Sequence, residues 1–89
     1  IVLSIASLLA ALAFLAADGS AQAPPAPEQG IQLHRQGKLA EAAEAYRQFL
    51  KQHPKSLPAQ SNLAVALANL GRLDEAIVEY EKALALDPS

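Results

Sequence analysis

The side chains with the means for chemistry are few and scattered. His34 and His53 are the only imidazoles, and neither has a carboxylate or a nucleophile at a spacing that would make it a general base. Both are expected on exposed helix surfaces. Glu75, Glu79 and Glu81 stand close together, but their spacing suits a solvated helix face better than an acid–base pair. Tyr46 and Tyr80 fall at apolar, core-facing positions. There is no cysteine, so neither a disulfide nor a thiolate metal site is available. No glycine-rich phosphate loop occurs, and no H-E-x-x-H pair of zinc ligands. The residues therefore predict no catalysis, no cofactor and no metal. What remains is recognition, and that depends on the elements that carry these side chains.

The 89 residues have a formal charge of −2, which offers no electrostatic case for nucleic acid or an acidic membrane surface. The 52% hydrophobic content is unevenly spread. Residues 1–17, "IVLSIASLLAALAFLAA", hold no charge and only Ser4 and Ser7 as polar side chains. Such a run lies between the apolar core of a signal peptide and a membrane anchor. Ala21-Gln22-Ala23 fits a small-x-small cleavage pattern, although Pro24 would be a poor residue after the cut. Gly19-Ser20-Ala21 is the alternative. Residues 1–23 are thus read as a signal peptide or anchor forming a separate apolar helix. A buried core helix is the weaker reading, because a helix apolar all round needs a large protein about it. Residues 24–29 read as a Pro-rich linker, since proline sets φ and removes a donor.

From residue 30 the chain repeats itself. A shift of 34 places Gly37 on Gly71, Leu39 on Leu73, Glu41 on Glu75, Ala42 on Ala76, Tyr46 on Tyr80, Leu50 on Leu84 and Pro54 on Pro88. A period of that size marks stacked structural repeats. Leu39, Ala42, Ala43, Tyr46, Phe49 and Leu50 follow helical spacing, as do Leu73, Ala76, Ile77, Tyr80, Ala83 and Leu84. Gly37 and Gly71 stand where a left-handed residue ends a helix. Pro54 and Pro88 stop the helices that precede them. Ser56 is a candidate N-cap, with Pro58 in the first turn behind it. Four helices are predicted, over 28–36, 39–53, 57–70 and 73–87. The small Ala42 and Ala76 would let paired helices approach closely.

This period, with its G-x-L-x-E-A…Y…L…P skeleton, resembles the tetratricopeptide repeat. The resemblance implies an all-α fold, an α-solenoid of two helix-turn-helix repeats at about 23–56 and 57–89, preceded by the separate leader. Leu63, Ala64, Leu67, Ala76, Tyr80, Ala83 and Pro88 fall on the family's signature positions, as do Gly30, Leu33, Ala42, Tyr46 and Pro54. Gln60 and Ala26 depart from it by replacing a bulky aromatic, and Phe49 replaces a usual small residue.

The family presents a concave groove on the first helix of each repeat. The resemblance therefore implies a protein or peptide ligand and a groove containing Ile31, His34, Arg35, Ser61, Asn62, Val65, Ala68 and Asn69. One class of the family clamps the C-terminal carboxylate of chaperones with lysine and asparagine. Pro27 and Ile31 hold the first-repeat positions of that clamp, so it is not supported, although Asn62 matches its asparagine. The expected function is an exported scaffold for protein interactions, periplasmic or secreted, with membrane contact only through an uncleaved leader. The alternative is the front of a larger exported enzyme or transferase. About three repeats are usually needed for stability, so the last helix is expected to carry an uncovered apolar face. On that reading the chain is an N-terminal fragment, weakly stable alone or self-associating through that face.

Overall fold

The structure, a computed structural model, describes residues 24–87. The apolar leader, Pro88 and Ser89 lie outside the described residues, and with them the expected leader helix and the second helix stop at Pro88. Among the described residues all regular structure is helical: α1 over Glu28–Arg35, α2 over Leu39–Gln52, α3 over Leu57–Asn69 and α4 over Leu73–Leu86. Each boundary lies within one residue of the sequence expectation. The first helix takes in Glu28 and Gln29, so the described part of the Pro-rich segment ends at a buried Pro27. The Pro27 carbonyl accepts the Ile31 N–H at 3.1 Å.

Backbone chemistry sets the turns. Gly37 and Gly71 have φ of +77° and +81°, a region closed to most side chains. The Lys38 N–H reaches the Leu33 carbonyl at 2.9 Å and the Gly37 N–H reaches that of His34 at 3.0 Å. Thirty-four residues on, Arg72 bonds Leu67 at 2.9 Å and Gly71 bonds Ala68 at 3.0 Å. These are the paired bonds of a Schellman helix end, made identically in both repeats. Ser56 caps α3, its Oγ accepting the Ala59 N–H at 3.3 Å.

Consecutive helices pack antiparallel in a row, α1 on α2, α2 on α3 and α3 on α4. The core is made of Ala42, Ala43 and Tyr46 from α2, Leu63, Ala66 and Leu67 from α3, and Ala76 from α4. Ile31, Leu33, Leu50 and Ala68 pack against it from the sides. The alanines allow the close approach that their size predicts. Gly30 allows the closest: a Cβ there would overlap Cε1 and Cδ1 of Tyr46 and lie 3.0 Å from its Cζ.

The two tyrosines do not share a fate, which corrects the expectation that both lie in the core. Tyr46 is 1% exposed, but its repeat mate Tyr80 is 41% exposed. Tyr46 is closed in by its own hairpin partner α1 and by α3 of the next repeat. Tyr80 has α3 on one side and no described helix on the other. The same one-sided packing leaves Leu73, Ile77 and Leu84 more than half exposed.

Candidate functional site

The inner face is built from α1 and α3, whose C-terminal turns meet at His34 and Asn69. The His34 Nε2 lies 3.5 Å from the Asn69 amide nitrogen, and its Nδ1 lies 3.3 Å from the Tyr46 hydroxyl. A single neutral tautomer serves both: Nε2 accepts from the amide while Nδ1–H donates to the phenol oxygen. The rings of His34 and Tyr46 stand edge to face, with centroids 6.2 Å apart. One imidazole thus ties together both helices of the first repeat and the first helix of the second. Burial also pushes the Tyr46 phenol above its ordinary pKa.

The other groove candidates sort by position. Ile31 and Ala68 are half-buried and rest on the core. Val65 and Arg35 are exposed, and Arg35 makes no ion pair among the described residues. Asn62 is half-buried, and its side chain makes no hydrogen bond among the described residues. Ser61 lies two turns N-terminal of Asn69 and lines a different cleft, with Leu57, Tyr80, Ala83, Leu84 and Asp87. The structure therefore joins His34 to Asn69 directly and gives Ser61 a second set of neighbours.

Two further corrections concern polar side chains. Neither histidine is a free surface group: His34 is half-buried between Tyr46 and Asn69, and His53 is half-buried beneath Phe49, with ring centroids 4.6 Å apart. Nor do the three glutamates form one solvated face. Glu79 has a side chain only 13% exposed. Gln60, buried where the family places an aromatic, donates its amide to the Glu79 carboxylate and, at 3.3 Å, to the Glu79 backbone carbonyl. Lys82 adds an ion pair at 3.4 Å. Glu75 meets Arg47 of α2 at 3.5 Å and Arg72 at 2.6 Å. Residue order hinted at the places of both polar links without showing the contacts. His34 and Asn69 stand one repeat plus one residue apart, and Gln60 is the departure from the repeat's pattern that leaves an amide in the core.

Among the described residues, no three metal-ligating side chains cluster, and no helix is long and apolar enough to cross a membrane. On the inner face Ile31, Val65 and Ala68 are apolar, and Arg35, Asn62 and Asn69 carry hydrogen-bond donors.

The sequence profile of the tetratricopeptide repeat matches residues 28–89. Among curated proteins, the chain is similar to Hsp70-Hsp90 organizing protein 1 of Glycine max, with 37% identity over 67 residues. These are 75% of this chain and 12% of that protein. Hsp70-Hsp90 organizing protein 3 of Arabidopsis thaliana is 36% identical over 62 residues, 70% of this chain and 11% of its own length. TPR repeat-containing thioredoxin TTL4 of Arabidopsis thaliana is 40% identical over 60 residues, 67% and 9% respectively. The chain thus spans about a tenth of the length of the relatives it matches. With two hairpins of that period in the fold and the profile spanning both, the chain belongs to the tetratricopeptide repeat family.

Proposed function

We propose that the chain is a protein-interaction scaffold whose ligand lies along the inner face of α1 and α3. The observation that carries this is the direct meeting of His34 and Asn69, residues 35 positions apart in sequence, which joins α1 and α3 into one surface. Ile31, Val65 and Ala68 supply its apolar contacts, and Arg35, Asn62 and Asn69 its donors. Such a surface suits an extended peptide or a partner helix with an apolar residue and a hydrogen-bond acceptor near each other. The relatives named as organizers of Hsp70 and Hsp90 support a protein partner. Pro27 and Ile31 argue against a chaperone C-terminus as the ligand, because they put no cation or amide at the first-repeat clamp positions.

The apolar leader supports a place outside the cytoplasm, with export as the route. A second reading has these repeats leading a larger exported enzyme, and the relative whose name joins such repeats to a thioredoxin favours keeping it.

The groove is tested by selecting peptides against the chain from a random displayed library and following the winners by ¹H–¹⁵N NMR. The expected shifts fall on Ile31, His34, Val65, Ala68 and Asn69, and Val65→Glu abolishes binding with the fold retained. Shifts confined to α2 and α4 would reject the groove.

A further inference from the structure

Charge is divided between the helices. Among the described residues, Glu41, Glu44, Asp74, Glu75, Glu79 and Glu81 stand on α2 and α4, and Asp87 follows α4. α3 carries no charged side chain, and α1 carries a single carboxylate, Glu28, in its first turn. Arg35 lies one turn beyond Ile31 on the same face, two turns from Glu28. Arg35, and Lys38 in the turn that follows, are exposed and in no ion pair among the described residues. The inner face is therefore cationic where α1 and α3 meet, in a chain whose formal charge is −2.

That end also holds a proton site. In its neutral form His34 accepts from the Asn69 amide at Nε2 and donates to Tyr46 from Nδ1. Imidazole is the side chain that changes charge between pH 5 and 8. A proton taken from solvent goes to Nε2, since Nδ1 already carries one. Two donors, Nε2–H and the Asn69 N–H, then stand side by side, their nitrogens 3.5 Å apart. A carboxylate accepts from both, and its charge favours the imidazolium over either neutral tautomer. No carboxylate among the described residues bonds His34. α3 has none to offer. On α2, which presents Tyr46 to the ring, Glu41 and Glu44 are exposed, and Glu44 is bonded to Gln48 at 3.1 Å. The other charged groups at this end are Arg35, Lys38 and Arg72, the last held by Glu75.

We propose that the inner face takes an acidic chain segment whose carboxylate bridges His34 and Asn69 beside Arg35, and that binding draws one proton onto His34. The apolar neighbours of that carboxylate rest on Ile31, Val65 and Ala68. This rests on the inner face being the ligand surface, and it uses neither Pro27 nor Asn62 of the clamp positions. A carboxylate keeps its charge from pH 5 to 8, so affinity follows the imidazole: it rises as pH falls and His34 gains its proton.

The test uses the 89-residue chain with N-acetyl-leucine as the acid and N-acetyl-leucinamide as its neutral twin. ¹H–¹³C NMR of the imidazole rings follows His34 through its titration, with His53, at the far end of α2, as the internal control. The acid should raise the His34 midpoint and leave His53 unmoved, and the amide should move neither. The acid should bind about five-fold tighter at about pH 6 than at about pH 8, the effect of one added ion pair. Asn69→Ala, at an exposed position, should keep the helical circular-dichroism spectrum and lose most of the preference for acid over amide. Arg35→Gln should weaken the acid at both pH values alike. Acid and amide that shift Ile31, Val65 and Ala68 equally, with the His34 midpoint unmoved, overturn the carboxylate site and leave the inner face standing. A preference that survives whole in Asn69→Ala overturns it too. Shifts from neither probe at Ile31, Val65 or Ala68 overturn both the site and the face.

Discussion

Gly30→Ala tests the packing of the first hairpin, because two effects of opposite sign meet there. In an ordinary helix interior, replacing glycine by alanine stabilises by about 1 kcal/mol through backbone entropy. At Gly30 the new methyl would overlap two ring carbons of Tyr46. The ring has little freedom to yield: it is 1% exposed, and its hydroxyl is held by His34. Overpacking of this kind costs about 1–3 kcal/mol, and overlap with a fixed ring belongs at the upper end. The net expectation is a loss of about 2 kcal/mol, large against the roughly 3–5 kcal/mol that a core of this size supplies. Urea unfolding followed at 222 nm measures it, with trimethylamine N-oxide present throughout to keep every variant folded. In a Tyr46→Leu background the clash is gone, and the same substitution should become neutral or stabilising. A Gly30→Ala chain that gains stability, or a cycle in which the two changes simply add, would refute this account of why glycine stands at position 30.

Three other outcomes are expected of the same structure. Gly37→Ala and Gly71→Ala should each cost about 1–2 kcal/mol in urea midpoint from backbone strain alone, since a Cβ at either meets nothing within 4 Å; asparagine should recover part of it. Ser56→Ala should remove about 1 kcal/mol by stripping the Ala59 N–H of its acceptor, and Ser56→Asp should restore it. Burial raises the Tyr46 phenol above 10.0, so the unfolded chain gives up this proton at a lower pH than the folded one. The contribution is intact below pH 10.0 and is lost as pH rises toward the folded value. Absorbance at 295 nm should therefore show one tyrosine ionising late, and Tyr46→Phe should flatten the alkaline fall in urea midpoint.

Much of the fold is local and was legible from residue order. Gly37 and Gly71 announce left-handed helix ends because few other residues reach positive φ, and both take it. Ser56 and Pro58 mark the start of α3 by chemistry that acts within one turn. Helical spacing picked out Ala42, Ala76, Leu63 and Leu67 as interior, and all four are buried. The contacts around the proposed groove were not legible in this way. A repeat pattern says which positions share a face, but not which side chains touch across helices. The link from His34 to Asn69 and the staple from Gln60 to Glu79 are contacts of that second kind.

Two levels of physics divide this protein. Amino-acid order alone determined where each helix starts and stops, that helices recur every 34 residues, and which stripe of each is apolar, because capping, turn chemistry and periodicity act over a few neighbouring residues. Only the tertiary structure decided which stripes are covered. Tyr46 and Tyr80 occupy the same place in the repeat, yet one is sealed and the other open, because burial depends on the helices on both sides. The same holds for charge: Arg47 is satisfied by Glu75 of the next repeat, while Glu81 in the matching place faces outward without a cation among the described residues.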